Sequence, residues 1–465
     1  MTDHAFDVVV LGGGSGGYAA ALRAAELGRS VALIERDLVG GTCLHRGCVP
    51  TKALLHTAEV ADTVRHAAAS GVRATLEGID AAAARDWRQK LVDGKFRGLT
   101  SLLKARGVTS VSGIGTLTRS GEQPAIRVDD DLYVGADVII ATGASSRSIP
   151  GVEIGGRILD STSALALDEI PGHAVILGGG VIGVEFASAW RSLGADVTIV
   201  EALDSLVANE DPSSRGALEK AYRRRGIALE LGSRVSSVSA DDASVAVELE
   251  DARRIAADYV LVAVGRAPVT AGIGLDDLGV ETDRGFVVVD EDLRTTAEHV
   301  WAVGDVVSGP QLAHRGFRHG MYVAEQIAGL TPSPLDDRLF PRVTYSSPEI
   351  AAVGLTEDQA VAAHGADAVG TTEVSLAGNA KSEIVQAGSP VRAGHAKVVR
   401  LTNGPVVGVH LVGDRVGELI TEGQLAVAWE AHPDDLAPLI HAHPTQSEAL
   451  GEAFLALAGS PLHTL

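Results

Sequence analysis

Two cysteines, Cys43 and Cys48, are the whole thiol content of a 465-residue chain. They share one segment, Gly40-Gly41-Thr42-Cys43-Leu44-His45-Arg46-Gly47-Cys48-Val49-Pro50-Thr51-Lys52. The residues between them let the chain fold back until two sulfurs meet, as a disulfide requires. The spacing and the flanking glycines point to a redox-active pair. Two unrelated buried thiols, or half of a metal site, are the alternatives. A structural zinc takes four ligands, and the chain has no second Cys pair.

The elements that must position such a pair are written twice. Residues 6–11 read as a buried strand, followed by Gly12-Gly13-Gly14-Ser15-Gly16-Gly17, an Ala-rich helix to Leu27-Gly28, and a strand Val31-Ala32-Leu33-Ile34 ending at Glu35. This is the strand–GxGxxG–helix–strand–acid pattern of a dinucleotide-binding unit. Gly12 makes the turn, Gly14 lets the backbone approach a pyrophosphate, and Gly17 lets helix pack closely on strand. The helix N-terminus offers unsatisfied N–H groups and positive dipole to phosphates, and Glu35 would accept hydrogen bonds from a ribose. The same pattern recurs with Gly178, Gly180, Gly183 and Glu201. Two full copies imply two dinucleotides and an oxidoreductase. Glu201 favours NAD over NADP, because a carboxylate bonds ribose hydroxyls and repels a 2′-phosphate, and Ala202-Leu203-Asp204 adds no base.

Composition narrows the rest. The length suits two to four domains, and 46% apolar residues with 54 glycines fit a large α/β protein with many tight turns. A formal net charge of −21 disfavours nucleic acid and anionic membrane surfaces as partners. No apolar run reaches the roughly 18 residues of a membrane-spanning helix, and the short N-terminal lead leaves no room for a signal peptide. A cytoplasmic location is expected, where a Cys pair is more often catalytic than structural. Pro50 is best tolerated in a helix's first turn, so Cys48 should lie near the start of the helix that carries Lys52, Leu54, Leu55 and Ala58. A helix N-terminus favours the thiolate.

With a Cys pair between two nucleotide motifs, the chain resembles the flavoprotein disulfide reductases, the class I pyridine nucleotide-disulfide oxidoreductases. Within them it is most similar to the dihydrolipoamide dehydrogenases. The likeness rests on the first fingerprint, the Cys segment, Ala141-Thr142-Gly143, Val264-Gly265-Arg266, Trp301-Ala302-Val303-Gly304-Asp305, Gln311-Leu312-Ala313-His314 and His441-Ala442-His443-Pro444-Thr445-Gln446-Ser447-Glu448.

The resemblance implies two Rossmann-like domains and a C-terminal α+β dimerisation domain. The expected boundaries are 1–148 for FAD, 149–271 for NAD, 272–342 for a central domain completing the FAD site, and 343–465 for the interface domain. It assigns the first fold to FAD and the second to NAD. Nucleotide contacts are implied for Gly41, Thr42, Lys52, Gly115, Thr142, Gly143, Glu185, Gly265, Asp305, Leu312, Ala313 and His314 besides the fingerprint residues. Lys52 would pair with Glu185 beside the flavin, and Asp305 would meet its ribityl–phosphate region. Cys48 would face the flavin and Cys43 the substrate.

His443 is the candidate base, since an imidazole titrates close to neutral pH, with Glu448 orienting it. Thr445-Gln446-Ser447-Glu448 also reads as a capping box opening a helix 448–458. The implied activity is oxidation of protein-bound dihydrolipoyl groups by NAD, within a homodimer that docks lipoyl domains of 2-oxo-acid dehydrogenase complexes.

Three positions depart from the commonest pattern of the family: Ser15 for proline, Val269 for asparagine, and Gln446 for an apolar residue. None touches a chemical role, though substrate preference stays open. A glutathione or mycothiol disulfide reductase is the nearest competitor, but such enzymes generally use NADPH, against Glu201. Mercuric reductases carry a C-terminal Cys pair that this chain lacks. A flavoprotein assembly subunit without turnover is the remaining alternative.

Overall fold

The computed structural model describes residues 2–389 and 394–464. The chain forms two compact units, each assembled from three stretches. The first comprises Met1–Pro50, Asp86–Arg147 and Arg266–Asp337; the second comprises Thr51–Arg85, Ser148–Gly265 and Arg338–Leu465.

The first unit is built on β1 (Thr2–Leu11), α1 (Ser15–Glu26), β2 (Val31–Glu35), α2 (Gly41–His45), α3 (Cys48–His66, leaving the unit after Pro50), α4 (Ala81–Ala105, entering it at Asp86), β3 (Thr109–Ser112), β4 (Gly115–Ser120), β5 (Gln123–Val128) and β6 (Asp131–Ile140). Its sheet runs β3-β2-β1-β6-β5-β4, with the strand Val300–Ala302 added alongside β6. The β1, β2, β3 and β6 pairings are parallel. Parallel strands are covered on both faces, so β1 needs an unbroken apolar run; Val8, Val9 and Val10 are fully buried. One cover is the helix Ala313–Ile327, which meets α1 backbone to backbone. A Cβ on Gly320 would fall 2.2 Å from the carbonyl oxygen of Gly16.

The second unit holds a second parallel sheet, of the strands Ala228–Glu230, Asp196–Val200, His173–Leu177, Tyr259–Val262 and Ile158–Leu159, neighbours in that order. Against it packs the helix Val181–Leu193, almost wholly buried. The Tyr222 hydroxyl donates to the Val184 carbonyl at 2.6 Å, which satisfies a phenol buried among apolar side chains. The C-terminal part is an antiparallel sheet of Arg342–Thr344, Glu349–Gly354, Val406–Gly413, His395–Leu401 and Val369–Ser375, in that order. The helices Ile420–Ala428 and Glu448–Leu457 pack on it. Mixed α/β architecture with two dinucleotide folds and a C-terminal α+β part is what the sequence led one to expect. Among the described residues no helix is long and apolar enough to cross a membrane.

Candidate active site

The two fingerprints superpose in their local chemistry. In the first, Glu35 accepts the Gly13 N–H at 2.6 Å on one carboxylate oxygen and the Asp37 N–H at 2.8 Å on the other. In the second, Glu201 accepts the Gly179 N–H at 2.5 Å and the Leu203 N–H at 2.8 Å. Each carboxylate is thus locked at the end of its strand with lone pairs left over for a diol.

Gly12 and Gly178 occupy left-handed turns at φ +105° and +110°. A Cβ there would strike the carbonyl oxygen of Ala141 at 2.3 Å or of Ala263 at 2.4 Å. Gly17 and Gly183 are tighter still, with virtual Cβ atoms 1.8 and 2.0 Å from the carbonyls of Gly12 and Gly178.

Gly14 and Gly180 face open space, and neither following helix has a side-chain cap. Uncapped N–H groups beside an open glycine form a cradle for a phosphate. Both sites therefore fit a dinucleotide.

The thiol segment rests directly on the first cradle. The Gly40 N–H donates to Gly13 O at 2.8 Å. A Cβ on Gly41 would lie 2.7 Å from Gly14 Cα. Cys43 sits inside α2 and Cys48 is the first residue of α3, as Pro50 led one to expect. Both are half-buried.

Tyr18, which follows Gly17 directly, carries no signal that sequence reasoning could have used. Burial, reinforced by negative charge on Cys43 and Cys48, pushes its phenol up to about 12. Its ring packs on Phe317 at 5.5 Å.

Thr42 lies against Arg266, and the Thr142 hydroxyl donates to Val269 O at 2.6 Å, so towards a ligand that hydroxyl can act only as an acceptor. Gly143 has open space around it. Gly115 opens β4 and is packed on Leu11, Ile126 and Ile34, so it has only backbone to offer.

Asp305 lies in a turn whose Gly304 N–H reaches Nδ1 of the buried His319 at 3.5 Å. Burial raises the Asp305 carboxyl, opposed by Arg266 and Arg315. Leu312 is the N-cap of the helix Ala313–Ile327 and makes no side-chain cap bond. Gly12 to Gly17, Glu35, Gly41, Thr42, Asp305 and this helix start are the groups that would hold a flavin nucleotide.

In the second unit, Lys52 Nζ donates to both oxygens of Glu185 at 2.9 Å, the pair expected from the resemblance. Glu185 also accepts the Tyr345 N–H at 2.9 Å, and Lys52 lies 4.5 Å from the Tyr345 ring centre. Gly265, at φ +115°, ends the second nucleotide fold.

His443 Nδ1 and Glu448 Oε1 are 2.9 Å apart, and the other oxygen of Glu448 accepts the Thr445 N–H at 2.8 Å. That backbone bond and the His443 bond hold the Glu448 carboxyl below the usual range. The expected capping box does not form as a box. Only the Glu448 half forms, through the Thr445 N–H; the N-cap of the helix Glu448–Leu457 is Ser447, which makes no side-chain cap, and the other Glu448 oxygen serves the imidazole. With a carboxylate on Nδ1, Nε2 of His443 is the nitrogen left to exchange a proton.

Residues 6–320 match the model of the pyridine nucleotide-disulphide oxidoreductases, and 340–454 that of the dimerisation domain of the same proteins. The chain belongs to the pyridine nucleotide-disulphide oxidoreductase family. Dihydrolipoyl dehydrogenase of Bacillus subtilis is 38% identical over 98% of this chain and 99% of its own length. Dihydrolipoyl dehydrogenase 3 of Pseudomonas putida is 38% identical over 98% of both. The crystal structure of LpdA from Mycobacterium tuberculosis superposes with a TM-score of 0.90 at 29% identity, over 98% of this chain and 100% of that one. As a member of this family the protein is a disulfide oxidoreductase that uses FAD and NAD(H).

Proposed function

We propose that the protein is a dihydrolipoyl dehydrogenase, oxidising protein-bound dihydrolipoyl groups to lipoyl and reducing NAD⁺ to NADH. The observation that carries this reading is the thiol segment seated on the first nucleotide cradle, in a chain whose second cradle presents Glu201 to a ribose. One substrate thiolate attacks the Cys43–Cys48 disulfide and forms a mixed disulfide with Cys43, releasing Cys48 as thiolate. His443 Nε2 takes the proton of that substrate thiol, and Glu448 stabilises the imidazolium. The second substrate thiol displaces Cys43, which leaves the enzyme dithiol and a closed lipoyl disulfide. FAD, when bound, supplies the two-electron path from this dithiol to NAD⁺, restoring the disulfide with NADH and a proton as products.

The region matching the dimerisation domain contains His443 and Glu448. We read the working unit as a homodimer in which each subunit lends this dyad to the other's thiols. The four-part division at 148, 271 and 342, the nucleotide roles of the individual residues, a cytoplasmic location and docking to 2-oxo-acid dehydrogenase complexes belong to the same proposal.

The test is a paired rate measurement, dihydrolipoamide with NAD⁺ against glutathione disulfide with NADPH. Turnover concentrated in the first pair is expected. Dominance of the second pair overturns the assignment, and turnover of neither favours an assembly subunit.

A further inference from the structure

A second histidine–carboxylate pair stands beside the His443–Glu448 dyad. His441 Nε2 lies 2.7 Å from Glu422 Oε1, on the helix Ile420–Ala428. The His441 ring packs against Gly451, where a Cβ would fall 2.4 Å from Nδ1. Gly451 is three residues after Glu448, on the same face of the helix Glu448–Leu457. The His441 ring is therefore held about one helical turn along from Glu448, which orients His443, and near enough for the Glu448 charge to act on it.

Its surroundings are built to hold it. The side chain is 13% exposed, against 75% for His443. The loop that carries both, 441–447, is pinned beyond His443 by Asn379 Nδ2 on Thr445 O at 2.9 Å and by Gln446 Nε2 on Asp414 O at 2.8 Å. Glu422 from one helix, Glu448 from the other and His443 on the same loop are the charged or titratable groups that act on this site. The hydrogen bond to Glu422 leads in raising the His441 imidazole above its ordinary value, which favours its charged form.

We propose that His441 and Glu422 are a charged positioning pair that sets the proton affinity of His443. The imidazolium of His441 lies close enough to Glu448 and His443 to weaken the hold of His443 on a proton. The base is thereby kept deprotonated, ready to accept, at lower pH than the Glu448 carboxylate alone would allow. Glu422 offsets this cation and fixes its ring. The inference rests on the reading of His443 as the base.

Its signature is a pattern of signs. His441→Gln keeps a donor for Glu422 but removes the cation, so the protonation midpoint of His443 rises by about half to one pH unit, the size expected for unit charges that far apart near a protein surface. Glu422→Gln removes the opposing charge, so the midpoint stays or falls. The double variant removes both charges and returns close to wild type.

The measurement is the rate of carbethoxylation of His443 by diethyl pyrocarbonate, which attacks the neutral imidazole. It is followed against pH by peptide mass spectrometry on the holoenzyme. The acid limb of kcat/KM for dihydrolipoamide is measured in parallel and should move with it. A loosened loop would slow turnover at every pH in both single variants alike. An unmoved midpoint in His441→Gln, or equal shifts in both single variants, overturns the proposal. Carbethoxylation needs no substrate, so failure of the lipoyl assignment would show separately, as absent turnover in the wild type.

Discussion

Gly183→Ala tests the claim that the second cradle binds NAD through its helix start. The new methyl carbon would lie 2.0 Å from Gly178 O and 3.2 Å from both Gly178 C and Ile176 Cγ2. Ordinary contact begins near 3.4 Å, so the helix Val181–Leu193 must retreat by about 1.4 Å from its strand. Its first N–H groups then move off the position where a pyrophosphate would meet them. A hydrogen bond to a charged group contributes about 1.5–3 kcal/mol. Losing the better part of one or two such bonds, with partial adjustment by the ligand, costs about 2–3 kcal/mol. That corresponds to a rise in KM for NAD⁺ of roughly 30- to 150-fold.

Flavin content should stay at wild-type level, because the first cradle is untouched. Gly17→Ala, whose methyl would lie 1.8 Å from Gly12 O, should do the reverse and yield protein poor in flavin. The assay is initial velocity against NAD⁺ concentration, with flavin absorbance and circular dichroism on the same samples. A folded Gly183→Ala enzyme with KM for NAD⁺ within threefold of wild type would refute the reasoning. So would loss of flavin with KM unchanged.

Other consequences are open to direct measurement. Lys52→Met leaves the buried Glu185 carboxylate with only the Tyr345 N–H among these partners. Because Lys52 is partly exposed, the cost is about 1–3 kcal/mol rather than that of a fully buried pair; an unchanged urea midpoint would remove the pair from the stability of this fold. His319 is pushed down to about 3 by burial and by the charges of Arg315 and Arg318, from an ordinary 6.5. The folded state thus binds fewer protons than the unfolded one. The stabilisation is present above about pH 6.5 and is lost as pH falls toward 3. His319→Asn should flatten the decline of unfolding free energy over that window, and a slope identical to wild type would count against it. Gln446→Ala removes the bond to Asp414 O and should lower stability by about 1 kcal/mol, with kcat reduced several-fold and KM little changed. A change in KM alone would contradict its role as a loop anchor.

By itself the sequence determined what depends on near neighbours. Glycine turns, the strand-ending acids Glu35 and Glu201, the helix opened by Cys48 and the thiol pair follow from backbone geometry and hydrogen bonds within some two dozen residues. The duplication could be read for the same reason, since each copy satisfies its own local requirements. The pairing of Lys52 with Glu185 came from likeness to a family, as no periodicity links residues so far apart.

Tertiary structure alone decided the rest. It brought Glu422 to His441, Asn379 to Thr445 and Gln446 to Asp414. It set Lys397 Nζ 2.9 Å from the fully buried Asp211, and Tyr18 beside the two thiols. It also gave Glu448, which still holds the Thr445 N–H, a second partner in His443. These contacts depend on sheet order and helix packing. A polar side chain in a sequence does not show which distant group will satisfy it once both are withdrawn from water.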